Sequence, residues 1–271
     1  MTENIPKIIH YCWFGSNQKP DIVLKCIESW KNILSDYEFR EWNDEDLKLC
    51  NNKYVNDALK EKKWAFISDY FRIFALYNYG GIYLDTDCMV FKPLNDFLNL
   101  NFFCSFENLH RRILPATGVI GAKKNNHIIK DLLDEFDNLN FYNEDGSLNL
   151  IPNTERLQVY FAEKFNLKPP YNDKKTVELE DKSYIYPSNY FSNYDKNVSY
   201  IKHFYCGSWL PPLRELITFN ILGCYFRFYG IDKGYFFKEI KNIKEQILMV
   251  CPRIIKSTVV LTVGKNNLGK N

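Results

Sequence analysis

The sequence predicts an α/β protein in which a mixed, mostly parallel sheet is covered by helices. Three observations carry that expectation. Residues 7–14 (KIIHYCWF), bounded by Pro6 and Gly15, are an apolar run of strand length. Residues 21–34 (DIVLKCIESWKNIL) set Val23, Leu24, Ile27, Trp30 and Leu34 at helical spacing behind an Asp, and residues 37–42 (YEFREW) then alternate like a strand, so the chain opens as β-α-β. The third is the stretch 64–90, WAFISDYFRIFALYNYGGIYLDTDCMV. Its apolar run over residues 64–79 reads as a mostly buried helix that breaks at Gly80-Gly81 and feeds a short strand, Ile82-Tyr83-Leu84, into Asp85-Thr86-Asp87.

The remaining elements follow in order. Asn43-Asp44 starts a polar helix, and residues 51–63 form a charged helical lead-in to the buried helix. After Asp87 a strand runs to Lys92-Pro93, and residues 102–108 (FFCSFEN) form an apolar strand whose end carries Glu107. Residues 118–122 read as a strand followed by an amphipathic helix from Asn126, and 141–152 as a polar loop. Asn153-Thr154-Glu155 reads as the cap of a helix over residues 156–165. Short strands are expected at 176–180 and 184–186, and a late strand before HFYCGSW, residues 203–209. From Pro211 apolar segments are interleaved with Lys and Arg. This shift predicts a division into a catalytic domain over 1–210 and a helical, basic-aromatic extension over 211–271.

Composition narrows the class. With 46% hydrophobic and 25% charged residues the chain is that of a soluble globular protein, and its net charge of +2 excludes a strong general attraction to nucleic acid. The eight cysteines are scattered without a Cys-x-x-Cys pair, which argues against a zinc ribbon and for free thiols in a reducing cytosol. No run reaches the ~18–20 apolar residues of a membrane span, and the N-terminus lacks the pattern of a signal peptide, so a cytoplasmic location is expected. Lys and Arg opposite Phe, Tyr and Leu in residues 211–271 fit peripheral contact with the inner face of an anionic membrane.

The chemistry concentrates around the acidic doublet. Two carboxylates at i and i+2 project the same way, about 6–7 Å apart, if strand geometry persists through Asp85 and Asp87. Such a pair suits a divalent cation with oxygen ligands. Asp69 and Arg72 share a face of the otherwise apolar helix, where buried charges are costly unless they pair or meet a ligand. On those residues alone a structural ion pair is the simpler reading. His10 reads as a core histidine, and Trp13 as either a core indole or a ring beyond the carboxyl end of the first strand, where α/β sheets bind nucleotides.

The register SDYFR followed by YGGIYLDTD resembles the family 32 glycosyltransferases, DXD-containing sugar transferases that share this pattern with the glucosyltransferase domains of the large clostridial toxins. IPKIIHYCWFG is also similar to the opening of that family. The resemblance implies a GT-A-type nucleotide-diphospho-sugar transferase fold and a metal-dependent transfer, with retention, of a hexose or N-acetylhexosamine from a UDP-linked donor. It implies Asp87 as the direct Mn2+ (or Mg2+) ligand, Asp85 as a ligand to the metal or the ribose, and Asp69 and Arg72 on the donor sugar and diphosphate. Trp13 would stack on the base, His203 would be a third metal ligand, and Ser208 and Trp209 would close over the diphosphate. Glu107, Thr117 and Asn153 are weaker candidates for the acceptor side. The implied setting is bacterial capsular or surface polysaccharide synthesis, with a lipid-linked or free oligosaccharide as acceptor. Two other readings fit parts of the pattern: an aspartate-dependent phosphohydrolase with Asp85 as nucleophile, and a non-catalytic nucleotide-sugar-binding module.

Overall fold

The computed structural model describes residues 4–109, 112–206, 215–221 and 224–229. The chain divides into two compact units, Met1–Trp209 and Leu210–Asn271. The first is built on a seven-stranded sheet. Strand β1 (Ile8–Cys12) pairs in parallel with β2 (Glu38–Trp42) on one side and with β3 (Gly81–Leu84) on the other. Helix α1 (Asp21–Ile33) makes the crossover from β1 to β2, as the β-α-β opening requires. Across the sheet the order is β2-β1-β3-β6-β5-β8-β7, with β5 (Phe102–Leu109), β6 (Arg112–Ala122), β7 (Val177–Glu180) and β8 (Ser183–Tyr186). Strands β6 and β7 run against the other five, so the sheet is mixed and mostly parallel.

A core lies on each face. Helices α2 (Lys53–Lys60), α3 (Trp64–Tyr79), α4 (His127–Asn138) and α5 (Asn153–Lys164) contribute to one, with Trp42, Phe71, Tyr83 and Phe102 among its buried side chains. The other gathers Ile9, Trp30, Ile82, Leu84 and Phe103, and it also includes residues of the two-stranded ribbon β4 (Cys88–Val90) with β9 (Ile201–His203). The period of two along β3 sends Ile82 and Leu84 to one core and Tyr83 to the other. Short α6 (Ser188–Phe191) leads toward β9. Behind the ribbon, the Trp30 indole N–H donates to Cys88 O at 2.6 Å, and Ser29 Oγ accepts the Val90 N–H at 3.0 Å.

The passage from α3 into β3 needs both of its glycines. Gly80 ends the helix at φ +67° with its N–H on Leu76 O, and Gly81 follows at φ +110°. A Cβ on Gly81 would stand 2.6 Å from Ile8 O, so neither the backbone angle nor the space admits a side chain.

Several expectations need correction. The polar helix after Asn43 is a 3-10 segment, Asp44–Leu49, closed by reciprocal hydrogen bonds between Asn43 and Asp46. Asn153 does not cap α5: the helix begins at Asn153 itself, and no side chain caps it from Pro152. The expected helical extension beyond Pro211 contains, among the described residues, antiparallel strands β10 (Glu215–Ile221) and β11 (Cys224–Tyr229). Their sequences, ELITFNI and CYFRFY, are rich in β-branched and aromatic residues around a Leu-Gly pair, a hairpin signal that the basic residues obscured. Residues 230–271, where the rest of that extension was expected, lie outside the described residues.

His10 is the core histidine the sequence suggests. Trp42 Nε1–H donates to its Nδ1 at 3.2 Å, which places the ring proton on Nε2, facing Gly80 O at 2.8 Å. Burial, with a smaller contribution from the Arg40 charge, lowers its pKa to about 4 despite the bond to Gly80. The unfolded chain therefore takes up a proton near the ordinary His pKa that the native state refuses until about pH 4, and stability falls as pH drops through that window. Between pH 7.5 and 5.0 this residue is expected to account for about 2 kcal/mol of lost stability. Urea unfolding of the wild type and of His10→Asn at the two pH values tests it; equal pH dependence in both would contradict the assignment.

Candidate active site

The acidic doublet leaves β3 in a tight turn. Strand geometry ends at Leu84, and the Cys88 N–H closes back on Asp85 O at 3.0 Å. The expected side-by-side projection from a continuous strand is therefore replaced by a turn that presents both carboxylates to one imidazole. His203 Nε2 lies 3.1 Å from Asp87 Oδ1 and 3.9 Å from Asp85 Oδ2. The β4–β9 ribbon makes this possible, because Cys88, next to Asp87, pairs with His203. Two further backbone bonds hold Asp87: Phe204 N–H to its carbonyl at 3.0 Å and Cys206 N–H to its Oδ2 at 2.7 Å.

Asp85 is held from the other side. Arg72 Nη2 sits 3.2 Å from Asp85 Oδ1 and 3.1 Å from Asp69 Oδ1, so a single guanidinium nitrogen bridges the helix carboxylate and the doublet. Arg72 Nη1 donates to both the carbonyl and the hydroxyl of Thr117 at 2.9 Å, and the guanidinium lies over the Tyr83 ring at 4.6 Å. Tyr83 O–H donates to Asp85 Oδ1 at 3.1 Å. Asn153 completes the set: its Nδ2 donates to Asp69 O at 2.8 Å and its backbone N–H reaches Asp69 Oδ2 at 3.4 Å.

The electrostatics favour a cation. Asp69 and Asp85 flank the Arg72 guanidinium, and Asp85 and Asp87 both face His203, so carboxylates outnumber the one permanent cation among these groups. Burial raises the pKa of Asp87, but the hydrogen bond and charge of His203 and the Cys206 amide overcome it and hold the carboxyl down at about 2. Burial opposes charge on His203 too, yet the bond to Asp87 and the fields of Asp85, Asp87 and Glu107 raise its pKa. The environment thus calls for positive charge at the meeting point of Asp87 and His203, and a carboxylate oxygen with an imidazole nitrogen is a donor set that divalent cations accept.

Trp13, Glu107, Thr117 and Asn153 are the other candidate residues among those described. Trp13 follows β1, which is parallel to β3, so it stands at the same end of the sheet as Asp85. It is half-buried, with its indole N–H on Asn17 O at 2.7 Å and Lys19 Nζ 5.5 Å from the ring. Glu107 is half-buried; burial raises its pKa, with opposing influence from His203, so it belongs to the same electrostatic neighbourhood. Thr117 and Asn153 are buried behind Arg72 and Asp69 and support them. Ser208 and Trp209 lie outside the described residues. Sequence reasoning missed Tyr83, although its i, i+2 relation to Asp85 on a strand was a usable signal. Tyr205, whose ring stacks on His203 at 4.2 Å, carried no such signal, and neither did Gly118.

Gly118 lies on β6 beside the doublet and accepts the Asp85 N–H at 2.8 Å. A Cβ there would stand 2.9 Å from Asp85 Oδ2 and 3.0 Å from His203 Cε1. Gly118→Ala is expected to leave the fold intact while separating these groups, lowering turnover at least about tenfold. Circular dichroism and a transfer assay on the same preparation check this; unchanged turnover would mean that the spacing of Asp85 and His203 is unimportant.

Residues 20–103 match the family described as a glycosyltransferase sugar-binding region containing a DXD motif. An uncharacterized glycosyltransferase of Acanthamoeba polyphaga mimivirus is 31% identical over 226 residues, covering 78% of this chain and 86% of that protein. Inositol phosphoceramide mannosyltransferase 3 of Schizosaccharomyces pombe is 32% identical over 99 residues, 35% of this chain and 28% of that protein. Among solved structures, the PaToxG glycosyltransferase aligns with a TM-score of 0.41 and 21% identity over 49% of this chain and 60% of that one. The match to the DXD family and the relative aligned over most of both chains establish that this chain belongs to the DXD-containing glycosyltransferases, and is a transferase with the α/β, GT-A-type architecture which that family implies.

Proposed function

We propose that the chain transfers a hexose or N-acetylhexosamine from a nucleotide sugar to a saccharide acceptor, with retention, using the Asp85-Thr86-Asp87 turn and His203 as the centre that receives the diphosphate. The observation that carries this reading is the 3.1 Å approach of His203 Nε2 to Asp87 Oδ1, made by residues more than a hundred positions apart within an acidic cluster. Asp87 and His203, with Asp85 beside them, would hold a Mn2+ or Mg2+ ion, whose charge offsets the negative charge that builds on the departing diphosphate.

The chain's own groups do the rest. Arg72 commits both Nη atoms to Asp69, Asp85 and Thr117 and so aligns those carboxylates, while its buried Nε, which has no partner among the described residues, is the N–H left for the donor sugar or diphosphate. Asp69, fixed by Arg72 and Asn153, retains acceptor capacity for a donor-sugar hydroxyl. Trp13 offers its ring to the base. Water must be kept from competing with the acceptor, a part we assign to Ser208 and Trp209. In a retaining course the leaving phosphate takes the acceptor proton, so no acid–base pair of carboxylates is required. The phosphohydrolase alternative finds no support in the glycosyltransferase family match.

A UDP-linked donor is our first choice, with GDP-mannose second because two partial relatives are named as inositol phosphoceramide mannosyltransferases. We place the reaction in capsular or surface polysaccharide synthesis at the cytoplasmic face of a membrane, on a lipid-linked or free oligosaccharide. Residues 211–271 would make the peripheral contact; no helix among the described residues is long and apolar enough to cross a membrane.

A panel of UDP and GDP sugars assayed with Mn2+ tests the proposal. Transfer or donor hydrolysis is expected with at least one donor, to be abolished by excess chelator and restored by Mn2+. Asp87→Ala is expected to lower turnover by at least about a thousandfold with an unchanged circular dichroism spectrum. Full activity in chelator, or from folded Asp87→Ala, would overturn it.

A further inference from the structure

The cysteine after the second acid plays no part in the scheme above. Cys88 opens β4, is fully buried, and stands directly opposite His203 in the ribbon. The two residues do not bond through their backbones, since Cys88 N–H donates to Asp85 O and His203 N–H to Ser192 O. Cross-strand partners of that kind have Cα atoms only about 4.5 Å apart, and their side chains approach most closely. One ligand atom each from Asp87, Cys88 and His203 lie within 4.8 Å of one another. The Cys88 sulfur makes a long contact, 3.8 Å to Gly118 O.

We propose that this centre binds a thiophilic divalent cation, Zn2+, through the Asp87 carboxylate, the Cys88 thiolate and the His203 imidazole, leaving the remaining position to water. Zinc accepts carboxylate, thiolate and imidazole ligands and keeps an open position for water where the protein supplies three, and a thiolate in the set favours Zn2+ over Mn2+. Binding is a ligand exchange without redox change: Cys88 gives up its thiol proton and His203 any proton on its ligating nitrogen, and hydration waters leave the ion and carry these protons to solvent. The charge of the metal offsets the burial and the Asp85 and Asp87 fields that hold the free thiol protonated. The inference shares Asp87 and His203 with the proposed transferase centre and rests on that reading only for its consequence. Zinc competes there with the hard cation that supports transfer, so the buried thiol makes the centre zinc-sensitive.

Titration of the full chain with Co2+, used as a spectroscopic probe, tests the site. A near-ultraviolet sulfur-to-cobalt charge-transfer band is expected, removed by added Zn2+. The band should vanish in Cys88→Ser and persist in Cys206→Ser, the control for the exposed thiol beside Asp87. Zn2+ affinity should fall at least about a hundredfold in Cys88→Ser, while Mn2+ affinity, which does not use the soft ligand, stays within about threefold. Absence of the band from the wild type, or equal Zn2+ affinity in wild type and Cys88→Ser, overturns the inference and leaves the transferase reading standing. A band that depends on Cys88 in a protein that turns over no sugar nucleotide supports the site and counts against that reading instead.

Discussion

The buried guanidinium of Arg72 is the constraint on which the site depends. A charge this deep is costly unless its partners are fixed, and here they are: Asp69 on its own helix, Asp85 on the turn after β3, and Thr117 on β6. It therefore ties helix α3 to two neighbouring strands at the point where the chemistry begins. Both flanking carboxylates gain by facing a permanent cation, but one guanidinium cannot balance Asp69, Asp85 and Asp87 together. The remaining negative charge gathers at Asp87, where an imidazole arrives from a distant strand. The fold thus builds an acidic centre from the inside outward, with Arg72 buried and the carboxylates and His203 around it partly exposed.

Topology delivers these groups to one end of the sheet. Strands β1 and β3 are parallel neighbours, so Trp13 and Asp85 emerge at the same end. Antiparallel β6 then brings Gly118 and Thr117 alongside, and the separate β4–β9 ribbon folds back to return His203 to the doublet. Trp30 and Ser29 of α1 pin that ribbon from behind by bonds to Cys88 and Val90. A helix with no part in the chemistry thereby fixes the height at which Asp87 stands.

Much of this was legible in the sequence where the signals are local. The periodicity of residues 21–34, the apolar run over 64–79 and the glycine pair before Ile82 place α1, α3 and β3 within a residue or two. Asp69 and Arg72 stood out because charges on an apolar helix demand partners. What could not be read is the pairing of distant segments. That Asp85 and Asp87 form a turn rather than a strand follows from the Cys88–Asp85 backbone bond, and the closeness of Gly118 follows from the β3–β6 register. Asn153 looked like a helix cap because Asn-Thr-Glu precedes a helical pattern, but its side chain serves Asp69 across the structure. The strands beyond Pro211 were hidden because residues that alternate in a hairpin can also be arranged on the faces of a helix.

The central claim is that Asp87 and His203 hold a cation that in turn holds a nucleotide diphosphate, so the two ligands must bind with positive linkage. Calorimetric titration of UDP and of GDP into the full chain, with and without Mn2+, measures that linkage directly. The account predicts that Mn2+ tightens binding of one of the two by at least about tenfold, and that His203→Asn removes most of the gain. Nucleotide binding indifferent to Mn2+ in the wild type, or an unchanged gain in His203→Asn, would contradict it.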